Sequence, residues 1–343
     1  MKTPIRPLLA LALLAGVFSP VLAQPAQPAP GAAPGFRAGG QPPPPGAVNS
    51  PMPGAGQRAG GGRGGLNPPA QTQGFTPPGA AVPVPPQVAI PRPAPEEYLR
   101  INTAIDAFIA ADRSAAKPLL DQYHSIITVR PPRANPGIAP SINSSYLPSH
   151  QRNLDTIAAM NADIGLLLMG DSITDGWRNT GKAVFDQFYA PLKAANFGIG
   201  GDTTQGVLWR LQNGEGAGFK PKAIMLLIGT NNSGSGTSAE IAEGVGAVVL
   251  QLRTSFPDAK ILLLAIFPRV DKDVQKQLVA AANPIIAKLH DGQHVFYLDI
   301  GQKFLAADGS ISRDIMNDGL HPTAKGYQIW ADAVKDQLAE LMK

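Results

Sequence analysis

The sequence predicts an α/β fold: a parallel sheet of five strands with helices on both faces. Three observations carry that prediction. Short apolar runs recur at 164–169, 194–197, 223–228, 261–267 and 295–298. They are continuous rather than alternating, the pattern of strands buried on both faces. The longer stretches between them are helical in pattern, at about 182–189, 204–212, 238–256 and 274–289, and a last one at 324–342 closes the chain. Strands alternating with helices imply βαβ units and right-handed crossovers.

The chain has 343 residues, of which 44% are hydrophobic, enough for one good core with tails. Its formal charge of +4 is unevenly spread. Residues 1–95 hold six Lys/Arg and no Asp or Glu, while the rest holds 23 basic and 25 acidic residues. The basic balance therefore belongs to the N-terminal segment and does not argue for nucleic-acid binding.

Residues 1–23 read as a secretory signal: Lys2 and Arg6, an apolar stretch at 8–17, and Val21-Leu22-Ala23 as a small-residue cleavage site. The apolar stretch is too short to span a membrane. Export, to a periplasm or the exterior, with no transmembrane span after cleavage, is the expectation. There is no Cys, so neither a disulfide nor a lipid anchor on cysteine is available. Residues 24–95 are dominated by Pro, Gly, Ala and Gln. Such a segment buries too little apolar surface to offset its ordering entropy and reads as a disordered tether.

Residues 96–150 form an extension ahead of the main domain at 151–343. Residues 96–121 read as helix, with Leu99, Ile105, Phe108 and Ile109 near one face. Five prolines interrupt 130–148, which is expected as irregular chain on the domain surface. A helical pattern resumes at 150–160 and leads into the first strand.

The polar residues that could carry chemistry follow strand ends. Gly170-Asp171-Ser172 follows the first, 196–202 the second and Gly229-Thr230-Asn231-Asn232 the third; Asp318-Gly319-Leu320-His321 precedes the last helix. In a parallel sheet these ends share one edge, where open α/β sheets bind ligands. Ser172 there reads either as a helix cap or as a nucleophile. Acyl transfer through serine needs a base, a group orienting it and donors for the oxyanion. His321 is the natural base, and Asp318, three residues before it, can orient the imidazole. The backbone N–H of Ser172, that of Gly201 and the Asn231 side-chain amide are candidate donors. A dinucleotide loop is disfavoured, because Thr203 stands where the third glycine of G-x-G-x-x-G belongs. Asp171, Asp175, Asp202, Asp318 and His321 offer one His, too few for catalytic zinc, so no metal or cofactor is expected. His124, His150, His290 and His294 read as surface or satisfied residues.

Together, G-D-S-I-T-D-G-W at 170–177, N-F-G-I-G-G-D-T-T at 196–204, G-T-N-N at 229–232 and D-G-L-H at 318–321 resemble, in order, the four blocks of the SGNH (GDSL-type) hydrolases. The second block and its sequel at 207–211 are similar to the branch of the platelet-activating factor acetylhydrolase Ib catalytic subunits. The resemblance runs from about residue 159 to the C-terminus. It implies a three-layer α/β/α, flavodoxin-like fold and an ester hydrolase with Ser172, Asp318 and His321 as triad. It also implies an oxyanion hole of Ser172, Gly201 and Asn231. The resulting expectation is an exported serine esterase for short acyl, above all acetyl, esters, with carbohydrate esters as one substrate class. A lipase or lysophospholipase and a non-catalytic glycan-binding module are the alternatives.

Overall fold

The computed structural model describes residues 74–131 and 133–343; the expected signal and residues 24–73 of the expected tether lie outside the described residues. Five strands form: β1 (Leu166–Gly170), β2 (Ala194–Gly198), β3 (Ala223–Leu227), β4 (Lys260–Leu264) and β5 (Val295–Leu298). All pair in parallel, in the spatial order β2-β1-β3-β4-β5, the flavodoxin-like order.

Alternation along the central strands divides the core into two layers. Leu167 and Met169 of β1 face one cluster, with Val207 and Leu208 from the helix Thr204–Arg210 and Val245, Val248 and Leu252 from the helix Ser238–Ser255. Leu166 and Leu168 face the other, with Trp177, Tyr327, Trp330 and Val334. Every residue of β1 is buried, which is why its run reads as continuously apolar.

The strands differ from expectation at their ends. Ile164 is buried but precedes the β1 ladder. Residues 265–267 are buried yet leave β4, because β5 has only four residues and the Ala265 N–H makes the last bond, to the Leu298 carbonyl at 2.9 Å.

Three corrections concern the N-terminal half. The tether does not extend to residue 95: from Gly74 the chain is a strap held on the domain. Thr76 donates to the Ile142 carbonyl at 2.8 Å, Gly79 to Pro140 at 2.8 Å and Val82 to Ile138 at 2.9 Å. Val88 is buried, and Arg92 forms a two-pronged ion pair with the buried Glu243 at 2.5 and 2.8 Å. Second, the segment at 130–148 is not wholly on the surface. Beneath the strap Asn135, Ile138, Ser141 and Ile142 are buried, and it contains the short turns Pro136–Ile138 and Ser144–Tyr146. Third, the single helix expected at 96–121 divides into Pro95–Ala111 and Lys117–Gln122. Asp112 breaks it by accepting the Ser114 N–H and hydroxyl, each at 3.0 Å. Of its predicted apolar face only Ile109 is buried; Leu99 and Phe108 are exposed.

Trp330 is 1% exposed and packs 5.0 Å from Trp177 and 4.9 Å from Phe267, centroid to centroid. Trp330→Ala should lower unfolding free energy by about 3–5 kcal/mol, read as a lower urea midpoint. A midpoint equal to that of the wild type would contradict this packing.

Candidate active site

Gly170 ends β1 where no side chain fits: a Cβ there would lie 2.2 Å from the Thr174 hydroxyl and 2.3 Å from the Leu227 carbonyl. The chain can therefore turn at once into the short helix Ser172–Asp175. Asp171 caps it, its Oδ1 accepting the Ile173 N–H at 2.9 Å, and the Tyr327 hydroxyl donates to the Ile173 carbonyl at 2.7 Å. Ser172 is thus fixed at the rim of the sheet, partly open to solvent.

His321 approaches from the connection after β5. Its Nε2 lies 2.9 Å from Ser172 Oγ, and its Nδ1 lies 2.6 Å from Asp318 Oδ2. Asp318 Oδ1 accepts the backbone N–H of Leu320 at 3.0 Å and of His321 at 2.7 Å. One carboxylate therefore folds the turn and orients the ring. Partial burial pushes the Asp318 carboxyl up, but the hydrogen bonds from the His321 ring and from these two backbone groups outweigh it and hold the carboxyl below its ordinary value. The anion persists beside the ring and fixes the tautomer with its free nitrogen toward Ser172.

The donor side comes from the loops after β2 and β3. Gly201 has φ +78°, and a Cβ there would meet the Tyr146 hydroxyl at 2.4 Å. One N–H of the Asn231 amide donates to the Asp202 carbonyl at 2.7 Å, leaving the other for a ligand. The neighbouring Asn232 accepts the Thr204 N–H and donates to the Thr204 hydroxyl and the Gln205 side-chain Oε1, each at 3.0 Å, locking the two loops together. The N–H of Ser172 lies in a first helical turn and has no acceptor within its helix.

The structure thus brings Ser172, Asp318 and His321 into one hydrogen-bonded chain, with Gly201 and Asn231 on the adjoining strand ends. The other carboxylates considered from the sequence are engaged elsewhere. Asp175 pairs with Arg178 at 3.0 Å and Arg152 at 3.3 Å, and Asp202 with Arg210 at 2.9 Å. Two features were missed from the sequence. Tyr146 stands against Gly201 from a segment given no role; nothing in its local pattern marks it. Arg210 is a wholly buried cation, and its place within the apolar run 207–211 was the signal.

Comparison with known proteins gives the family. The model of the GDSL-like lipase/acylhydrolase family matches residues 168–329. The alpha2 subunit of platelet-activating factor acetylhydrolase IB from Rattus norvegicus is 35% identical over 214 residues, 62% of this chain and 92% of the relative. The alpha1 subunit from Homo sapiens is 32% identical over 179 residues, 52% of this chain and 76% of the relative. The chain belongs to the GDSL-like lipase/acylhydrolase family. It is an ester hydrolase. Among solved structures, a carbohydrate acetylesterase from Sinorhizobium meliloti matches with 19% identity and a TM-score of 0.43, covering 52% of this chain and 100% of that one. A GDSL-like lipase from Bacteroides thetaiotaomicron matches with 18% identity and a TM-score of 0.45, covering 55% and 98%.

Asp171, beside the serine, is fully buried, and its Oδ2 has no partner. Burial, reinforced by the nearby Asp202 charge, pushes its carboxyl up to about 7. An acid raised in the folded state binds its proton more tightly there than when unfolded. Its contribution to stability is then present in full below about pH 4 and is lost as pH rises to about 7. Asp171→Asn removes that dependence. Its stability relative to wild type should increase between pH 5 and 8 by about 2–3 kcal/mol, measured by urea unfolding at each pH. A pH-independent difference would show that Asp171 is ionised throughout.

Proposed function

We propose that the chain is a serine esterase for short acyl esters, acetyl above all, with Ser172 as nucleophile, His321 as general base and acid, and Asp318 as the orienting carboxylate. The observation that carries this reading is the chain of hydrogen bonds from Ser172 Oγ through the His321 ring to Asp318, at 2.9 and 2.6 Å, beside the Gly201 and Asn231 donors. Acetyl as the acyl group is supported by the relatives that are 35% identical and named acetylhydrolases.

In this mechanism Ser172 Oγ attacks the ester carbonyl carbon as its proton passes to His321 Nε2. The carbonyl oxygen becomes an oxyanion held by the N–H groups of Ser172 and Gly201 and the free N–H of Asn231. The imidazolium gives its proton to the departing alcohol, leaving an acyl-serine. Water then attacks the acyl carbon, losing a proton to Nε2. Collapse expels the carboxylic acid and returns the proton to Ser172 Oγ. Asp318 stays ionised throughout and stabilises the imidazolium. Export through the segment at 1–23 belongs to the same proposal and is supported by its charged, apolar and small-residue pattern. Among the described residues no helix is long and apolar enough to cross a membrane.

Two variants and a chain-length series test the reading. Ser172→Ala should lower kcat on p-nitrophenyl acetate by about 10⁴–10⁶-fold, and Asn231→Ala by about 10²–10³-fold. The wild type should prefer acetate over longer acyl chains, with excess chelator leaving the rate unchanged. Full activity in Ser172→Ala would overturn the mechanism, and a preference for long chains would make the enzyme a lipase.

A further inference from the structure

The strap does more than cover the domain. A cleft of about 1110 Å³ lies between the strap, the segment beneath it and the loops after β2 and β3. Phe75 and Arg92 lie on its strap side; Thr203, Gln205, Asn231 and Ser235 lie on its other side. The strap wall lies outside the residues matched by the family model. The cleft meets the catalytic edge at Asn231, the one residue of the proposed oxyanion hole in its lining. A ligand bound in it would extend toward the reacting groups from that end.

The lining indicates the kind of ligand. Among the described residues, the Thr203 and Ser235 hydroxyls and the Gln205 amide N–H groups have no protein partner. The ring of Phe75 is 57% exposed. The cation on this lining, Arg92, is neutralised by Glu243 through both of its terminal nitrogens. The next cation, Arg133, lies outside the lining and pairs with Glu240 at 2.8 Å through the same nitrogen that donates to the Ser235 carbonyl at 2.9 Å. Each of these guanidinium groups is paired with a carboxylate, so among the described residues the lining offers a phosphate no unpaired positive charge. Open neutral donors and acceptors beside an exposed aromatic ring suit an uncharged ligand with many hydroxyls, whose C–H faces lie on the ring. The cleft is also far larger than an acetyl group and slightly exceeds the roughly 300–1,000 Å³ of pockets that enclose a whole small-molecule ligand.

We propose that this cleft binds the alcohol side of the ester, and that this alcohol is an uncharged saccharide unit or short oligosaccharide. The proposal rests on the serine-esterase reading above.

The test compares kcat/KM of the full chain on cellobiose octaacetate, on p-nitrophenyl acetate, whose alcohol is a single small ring, and on a 1-O-alkyl-2-acetyl-glycerophosphocholine. Ser235→Trp places an indole in the cleft and should lower the ratio of sugar-ester to p-nitrophenyl acetate kcat/KM about tenfold, through KM. Phe75→Ala removes a ring that is mostly in solvent, so folding is spared; the ratio should fall roughly three- to tenfold. The cleft assignment is overturned if both variants keep the wild-type ratio, or if the wild type releases no acetate from the sugar ester. It is overturned equally if the phospholipid is the better substrate and loses as much as the sugar ester in both variants. Ser172→Ala separates the two readings: retained p-nitrophenyl acetate turnover overturns the mechanism, whereas lost turnover with an unchanged ratio in the other variants overturns the cleft alone.

Discussion

The site depends on one buried charge. Arg210 is wholly buried, and its Nε donates to Asp202 at 2.9 Å, while its Nη1 donates to the Phe197 carbonyl at 3.1 Å and to Glu215. A charge removed from water is tolerable only when it is paired and hydrogen-bonded on every side. Meeting that demand draws three segments together. Asp202 and Phe197 belong to β2 and the loop that follows it, which also carries Gly201. Glu215 lies beyond the break in the helix at Asn213–Gly214, and it accepts from His150 at 2.8 Å and Asn153 at 3.1 Å on the helix Leu147–Ala159. The main-chain carbonyl of Asp202 holds Asn231. The positions of Gly201 and Asn231, two of the three proposed oxyanion donors, thus trace back to a buried guanidinium. Removing Arg210 would leave two carboxylates buried without a counter-charge, a larger penalty than the pair's own attraction suggests.

The same physics explains what could be read from the chain alone. β1 and β3 are buried on both faces, so their sequences are unbroken apolar runs and their existence was plain; only their ends moved, by one or two residues. The Ser172, Gly201 and Asn231 positions were legible because they stand in the polar or glycine residues that follow apolar strands; His321, 23 residues beyond β5, was legible only from the D-G-L-H pattern ahead of the last helix. The strap was not legible. Its proline and glycine content does describe a chain that cannot form a regular ladder, and it forms none. It is held instead by isolated backbone hydrogen bonds to 138–142 and by Arg92 on Glu243, and such contacts leave no periodicity in sequence. The apolar face expected of the helix Pro95–Ala111 misled for the opposite reason. Leu99 and Phe108 have the spacing of a buried stripe, but the described chain brings nothing against them.

Sheet topology also accounts for the long connection ahead of the last helix. The order reverses between β1 and β3, so the connections leaving these two strands run in opposite directions and the loops beyond their ends part into a crevice. Ser172 stands there, but the segment bearing Asp318 and His321 follows β5, with β3 and β4 between. Residues 299–323 must therefore travel back across the ends of two strands. They are anchored on the way by the buried side chains of Phe304, Ile311 and Met316, by a bridge between Met316 and Pro322, and by the Val270 N–H donating to the Gly319 carbonyl at 2.9 Å. The Val270 bond ties the turn bearing His321 to the loop after β4, and Arg269 in that loop bonds Thr230, which precedes Asn231. The loops after β3 and β4 and the turn bearing His321 are therefore cross-linked in sequence around the crevice. A base delivered from the far edge of a sheet can be as well placed as one on a neighbouring strand, provided that its connection is packed along its length rather than merely long.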